Sequence, residues 1–303
     1  METNEFTKQF SRSSRRRAAL IVNPKSGYMR SLGVIAPAVQ ALSEAGYETL
    51  AFTTTCGGDA ALIAQEYGAE TDLLICCGGD GTINEIIRGV MTISKEKRPV
   101  LGFIPMGSTN DFANALGLPK RQEQMIDTVI NGVPTQIDVG CFNGRYYAYL
   151  ASFGAFTDLS SSTSQEAKNM FGFLAYLGNG MRSIANIRPI KTSVIGVINY
   201  AKRNHVDLND GLFEVMLIDY PRSALELSRI ANALSTADFD CEHMMRFSAG
   251  EVRFIFDEPV DWILDGEPTE AGHEVLVQNV HAAVRVMLPR PEERKSLFNI
   301  HEK

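Results

Sequence analysis

Leu73-Leu74-Ile75-Cys76-Cys77 is apolar without a break and ends directly in Gly78-Gly79-Asp80-Gly81-Thr82. Behind that loop Ile83, Ile86, Ile87 and Val90 recur at the spacing of a helix with one apolar face. A strand apolar on both faces needs cover on both sides, so this strand–loop–helix unit calls for a parallel sheet between helices. Its surroundings agree. Ala18 to Val22 is a second apolar run, stopped by Asn23-Pro24, and a helical stretch through Val34 to Leu42 is followed by Gly46, where a C-terminal cap belongs. Tyr47 to Thr54 reads as a strand, Ala60 to Tyr67 as a helix and Val100 to Ile104 as a fourth strand. The first half is expected to be a Rossmann-like, doubly wound α/β domain.

The pattern changes near Ile137. Alternating or apolar stretches now follow one another at Tyr146–Leu150, Ser193–Ile198, Leu212–Ile218, Glu251–Phe256, Val275–Val277 and Ala282–Leu288. Successive strands separated by turns predict an antiparallel sheet or sandwich. One helical insertion is expected from Ser164 to Ile187. The expected division is 1–137 as the α/β domain, 138–290 as the β-sandwich and 291–303 as a tail, with a cleft between the domains as the ligand site.

A net charge of -7 argues against a nucleic-acid partner, whose phosphates require a basic surface. Five cysteines, without a C-x-x-C pair and with Cys76 and Cys77 adjacent, make a poor disulfide framework and suit a reducing cytoplasm. No apolar run approaches the roughly 20 residues of a membrane span. Arg12, Arg15, Arg16 and Arg17 read as a solvated tail, with contact to anionic headgroups as the sharper alternative.

The glycines around Asp80 let backbone approach a ligand closely, and the following helix directs its N-terminal N–H groups to the same place, which suits phosphate. A carboxylate beside phosphate implies a cation, so Asp80 implies Mg²⁺. The competing structural reading is a capping box, Thr82-x-x-Glu85. No Gly-Lys-Ser/Thr follows, so the loop is not a Walker A sequence, and the protein-kinase motifs H-R-D and D-F-G are absent. Two more turns end strands at the same sheet edge, where ligands of such folds bind. They are Asn23-Pro24-Lys25-Ser26-Gly27 and Pro105-Met106-Gly107-Ser108-Thr109-Asn110-Asp111-Phe112. Ser108, Thr109 and Asn110 can donate to phosphate, while Asp111 can cap a helix or hold metal-bound water. Far downstream, Asp265-Gly266-Glu267 places two carboxylates around a turn, one of which can accept a proton.

Taken in order, N-P-x-x-G at Asn23, G-G-D-G-T-x-N-E at Gly78, P-x-G-S/T-x-N-D-F at Pro105, D-G-L within Asp207–Leu212 and D-G-E at Asp265 resemble the soluble bacterial diacylglycerol kinases and related lipid kinases. The resemblance covers nearly the whole chain. It implies an N-terminal nucleotide domain of NAD kinase/phosphofructokinase-like fold and a C-terminal β-sandwich. It implies Asp265 as catalytic base with Glu267 beside it, and Asp80, Asp111 and Asp138 in a Mg²⁺–water network at the phosphates. It further implies a structural Mg²⁺ at Asp207, Asp210 and the backbone of Leu212. Asn23, Thr54, Gly78, Gly79, Gly81, Thr82 and the turn Gly107-Ser108-Thr109-Asn110 match nucleotide contacts. Two features depart from the pattern: Arg30 is out of register for a nucleotide arginine, and Ile190–Asp207 is shorter than in relatives, which have a further strand pair there.

The implied activity is Mg²⁺-dependent transfer of the γ-phosphoryl group of ATP to the hydroxyl of diacylglycerol or a related lipid alcohol. It would be carried out peripherally at the inner face of the cell membrane, with a homodimer as the family-typical assembly. Phe153, Phe156, Phe171, Phe173, Leu174 and Tyr176 either line an acyl-chain groove or pack a core. The alternatives are an NAD kinase and a catalytically silent lipid- or nucleotide-binding regulator.

Overall fold

The computed structural model describes residues 16–27, 30–154, 189–197, 207–236 and 241–292. They form two units, one comprising residues up to Ile137 together with those from Ala282 onward, the other Asp138–His281.

The first unit opens with β1 (Arg16–Val22), a short α1 (Arg30–Gly33), α2 (Ile35–Glu44), β2 (Tyr47–Thr53), α3 (Asp59–Tyr67), β3 (Leu73–Gly78) and α4 (Asp80–Met91). It continues through β4 (Val100–Pro105), α5 (Asp111–Ala115) and α6 (Gln122–Asn131). The strands lie parallel in the order β2-β1-β3-β4. Because side chains alternate along a strand, Leu20, Val22, Ile75 and Cys77 fall into one buried cluster with Leu42, Ile126 and Val129 from α2 and α6. The intervening Ile21, Leu74 and Cys76 are equally buried on the opposite face, as are Ile83, Ile86, Ile87 and Val90 of α4. Fully burying one such side chain contributes about 1.5–3 kcal/mol, so this two-sided packing is the main support of the site. Arg16 and Arg17 belong to β1 rather than to a tail, and the Arg16 guanidinium lies 4.2 Å from the Tyr47 ring centre. Arg12 and Arg15 lie outside the described residues.

In chain order the remaining elements are β5 (Val133–Phe142), β6 (Arg145–Tyr147), β7 (Ala151–Phe153), β8 (Thr192–Gly196), β9 (Phe213–Ile218) and α7 (Ala224–Thr236). After them come β10 (Met244–Ala249), β11 (Glu251–Phe256), β12 (Trp262–Leu264), β13 (Glu267–Thr269) and β14 (Glu274–Leu288). The second unit pairs β5 with β6, β9 with β10, β11 with both β8 and β14, and β12 with both β7 and β13, all antiparallel. Its core holds Phe142, Phe254, Phe256, Trp262 and Leu264. Phe153 packs there too, with ring centres 4.6–5.7 Å from Trp262, Phe254 and Phe256, so for this residue the core reading holds. Phe156, Phe171, Phe173, Leu174, Tyr176 and the expected helical stretch 164–187 lie outside the described residues.

Three expectations need correction. The run Tyr146–Leu150 is not one strand: β6 stops at Tyr147 and β7 starts at Ala151, for a reason given below. The two apolar runs near the C-terminus are parts of one strand, β14, interrupted by the left-handed Ala282 at φ 48. The end of that strand lies parallel to β4, with Arg285 opposite Val100 and Val286 opposite Leu101, so these residues complete the first unit rather than the sandwich.

Candidate active site

In the first unit a cavity of about 280 Å³ opens at the C-terminal ends of β1, β2 and β3. Its walls are Asn23, Lys25 and Ser26 after β1; Thr54, Thr55, Cys56 and Gly57 after β2; and Gly79, Gly81, Thr82 and Glu85 at the start of α4. This is the edge at which a parallel sheet presents its ligand-binding turns. The wall is tied together internally. Asn23 donates its Nδ2 to Thr82 Oγ1 at 3.1 Å while its Oδ1 accepts the N–H of Lys25 at 3.0 Å. Glu85 Oε2 accepts the N–H of Ala60 at 3.2 Å. Asp59 Oδ2 accepts from the N–H and the hydroxyl of Thr55, both at 2.7 Å, and these bonds hold its carboxyl well below the usual range.

The capping-box reading of Thr82 and Glu85 is not realised. Gly79 is the N-cap of α4, so Thr82 already sits inside the first turn, and both side chains bond to other segments. The first N–H groups of a helix have no intrahelical partner. Here Gly79 and Gly81 lie on the cavity wall, whereas the Thr82 N–H donates back to the Gly79 carbonyl at 3.0 Å. Gly79 and Gly107 show why the two loops need glycine: a Cβ on Gly79 would stand 3.1 Å from the Cα of Gly107, so the backbones meet where a side chain would part them.

Asp80 faces away from the wall formed by its neighbours Gly79 and Gly81. Its Oδ2 accepts from Thr109 Oγ1 at 3.2 Å and the Asp111 N–H at 3.1 Å, and its Oδ1 accepts from the Phe112 N–H at 3.0 Å. It therefore caps α5, whose own N-cap, Asn110, makes no side-chain cap bond. The Asp111 carboxyl is pushed up from its ordinary value, first by burial and then by the negative charge of Asp80. Asn110 closes its own turn, accepting the Gly107 N–H at 2.8 Å and donating to the Gly107 carbonyl at 3.0 Å. Gly78, Gly107, Ser108, Thr109 and Asn110, expected as nucleotide contacts, do not line the cavity. Lys25, Ser26 and Glu85, which lie within the quoted turns, do line it, as do Thr55, Cys56 and Gly57, which sequence reasoning did not single out. The available signal was their place just after parallel strands or on the first turns of the helix.

The second unit holds the remaining candidates. Asp265 and Gly266, at φ 49 and 85, form the two-residue turn between β12 and β13. Positive φ at both central positions marks the type I′ hairpin turn that Asp-Gly favours. Asp265 is 5% exposed, and its carboxylate accepts the backbone N–H groups of Ala148 at 2.5 Å and of Tyr149 and Leu150 at 3.0 Å each. These three donors serve Asp265 instead of a strand ladder, which is why β6 and β7 are separate. Glu267, whose side chain is 40% exposed, accepts from Arg145 Nη2 at 2.6 Å.

Asp138 is gathered with a turn of its own unit. Its Oδ2 accepts from the Gly211 N–H at 2.8 Å and Asn279 Nδ2 at 3.2 Å, and its Oδ1 lies 3.1 Å from His281 Nδ1. Asp207 and Asp210 each accept a backbone N–H two residues on, from Asn209 and Leu212, both at 3.0 Å. The Leu212 carbonyl accepts from Asn279 Nδ2 at 2.9 Å. Among the described residues no three His, Cys, Asp or Glu side chains converge as a metal cage.

Residues 17–142 match the family model of the diacylglycerol kinase catalytic domain. A diacylglycerol kinase of Bacillus subtilis (strain 168) is 37% identical over 275 residues, which covers 83% of this chain and 90% of the relative. One from Staphylococcus epidermidis (strain RP62A) is 39% identical over 181 residues, covering 59% of this chain and 57% of its own. Among solved structures, a diacylglycerol kinase from Bacillus anthracis str. Sterne superposes with a TM-score of 0.70 at 20% identity, covering 93% of this chain and 100% of its own. A second structure from that organism gives 0.77 at 21%, covering 93% and 99%. At those identities the superpositions speak for the fold alone. The 37% identity across 90% of a curated relative speaks for more: the chain is a kinase that belongs to the diacylglycerol kinase family.

Proposed function

We propose that this kinase transfers the γ-phosphoryl group of ATP to the hydroxyl of diacylglycerol, giving phosphatidic acid. The observation that carries the reading is the strand-end cavity, which gathers the turns after β1 and β2 and the N-terminus of α4, a combination suited to phosphate. The choice of acceptor rests on the family. Asn23, Thr54, Gly79, Gly81 and Thr82 contact the nucleotide, and Lys25 adds positive charge at the wall. Gly78 and the Gly107–Asn110 turn act at one remove, by shaping that wall.

The Asp111 N–H donates to Asp80 Oδ2 at 3.1 Å, so the two acids lie side by side at the start of α5. Such a pair fits Mg²⁺, which takes one or two carboxylates and completes its shell with phosphate and water. When bound there, Mg²⁺ neutralises charge on the transferring phosphate. Asp138, Asp207, Asp210 and Leu212 belong to the second unit, where the bonds named above close its turns. In this reading their part is structural.

An acceptor hydroxyl must lose its proton as it attacks phosphorus. Asp265 is buried and holds three N–H groups, whereas Glu267 is far more accessible. Glu267 accepts the proton, and Asp265 holds the turn that carries it. The lipid brings the enzyme to the inner face of the cell membrane as a peripheral protein, and a homodimer is the assembly the family suggests.

The test is purified chain with labelled ATP and Mg²⁺, offered diacylglycerol in mixed micelles or NAD. Labelled phosphatidic acid supports the reading. NADP, or no product with either acceptor, would overturn it.

A further inference from the structure

Taking Glu267 as the proton acceptor, we infer that Arg145 is the positioning residue that sets its carboxylate for the reaction. Arg145 follows directly on the Asn143-Gly144 turn, where φ is 47 and 85, another type I′ hairpin turn. That turn is pinned from outside: the Asn143 N–H donates to the Leu276 carbonyl at 2.9 Å, and Asn143 Oδ1 accepts the Leu276 N–H at 2.8 Å. The backbone of Arg145 is thereby fixed, and its guanidinium reaches β13. There Nη2 donates to Glu267 Oε2 at 2.6 Å and Nη1 to Thr269 Oγ1 at 3.3 Å. The Thr269 hydroxyl in turn donates to the Glu267 carbonyl at 3.4 Å, so head group and backbone of Glu267 join one network.

The same short segment holds the other carboxylate of the motif, since the N–H groups of Ala148, Tyr149 and Leu150 all serve Asp265. Residues 145–150 are therefore the counterpart of the Asp265-Gly266-Glu267 turn, one end holding each acid. Stability alone explains this ion pair poorly. Its side chains are 38% and 40% exposed, and pairs that exposed contribute little to folding. Orientation explains it better. A guanidinium anchored at Thr269 and on a pinned turn restrains the carboxylate it bonds, and a misplacement of about 1 Å at a reacting group costs on the order of 100-fold in rate.

The experiment is a double-mutant cycle on the full chain with diacylglycerol micelles, using Arg145→Gln, Arg145→Lys, Glu267→Gln and the double variant Arg145→Gln/Glu267→Gln. Arg145→Gln is expected to lower kcat about 10- to 100-fold while KM for ATP stays within about twofold, because the nucleotide cavity is built from the other unit. Arg145→Lys is expected to recover part of that loss by restoring the charge without the planar fork. In the Glu267→Gln background the further change at Arg145 should cost less than about twofold, since its target is gone. Full multiplicative loss in the double variant would overturn the inference, as would near-parental kcat for Arg145→Gln beside an inactive Glu267→Gln. Parental turnover of Glu267→Gln would instead overturn the proton-acceptor reading on which the inference rests.

Discussion

Asp80 stands between two glycines of the cavity wall, yet its carboxylate is hydrogen-bonded to the start of α5. It has a structural duty that its motif alone does not reveal. Asp80→Ala is expected to lose the cap, at about 1 kcal/mol in a urea titration, together with more than about 100-fold in kinase activity. Asp80→Asn should restore much of the stability and little of the activity. If Asn restored both, the charge of Asp80 would have no part in phosphoryl transfer. The thiols make a second test at this scale. Burial pushes Cys77 up to about 12 and Cys76 well above its ordinary value, whereas Cys56 is exposed on the cavity wall. Alkylation at pH 8, read by peptide mass spectrometry, should mark Cys56 and spare Cys76 and Cys77 until the protein unfolds. ATP should slow labelling of Cys56; equal rates with and without ATP would place the nucleotide elsewhere. The apolar character of Cys76 and Cys77 was legible from the run that contains them. The place of Cys56 was not, because it depends on β2 ending beside β1.

At the scale of elements, the turn Asp265-Gly266 joins β12 to β13 and also organises a segment more than a hundred positions earlier. Asp265→Ala leaves three backbone N–H groups at Ala148, Tyr149 and Leu150 without their acceptor, an expected loss of about 3 kcal/mol or more in urea unfolding. A loss below about 1 kcal/mol would show that water replaces the carboxylate. The turn was legible in the sequence, since Asp-Gly carries its own conformational preference. The break between β6 and β7 was not. Tyr146 to Leu150 has the apolar pattern of a strand, and only the distant carboxylate takes the N–H groups a ladder would need. The strands β12 and β13, three residues each, are too short to leave a period, whereas β10 and the helix α7, with Leu227, Ile230, Ala231 and Leu234 at helical spacing, carried a local signal that went unread.

For the whole molecule, the return of β14 to the first unit decides what can fold alone. Its end pairs with β4, and Arg98 donates Nη1 to the Ala283 carbonyl at 2.6 Å while Arg285 donates Nη2 to the Arg98 carbonyl at 3.0 Å. A fragment of residues 1–137 would leave the edge of β4 unpaired and apolar. Expressed alone, it should aggregate or lack a cooperative melt by circular dichroism. A soluble monomer with a sharp transition would show that the last strand is dispensable.

The sequence by itself determined the parallel α/β half from β1 to β4 and the three turns at its strand ends. Those features follow from periods of two and 3.6 residues and from glycine, all of which act between near neighbours in the chain. Only the tertiary structure shows which distant groups the acids and Arg98 bond. Asp80 bonds 32 residues away, Asp265 up to 117, Glu267 122 and Arg98 185. A hydrogen bond requires its groups about 3 Å apart, and separations that long leave no local pattern from which its partner can be read.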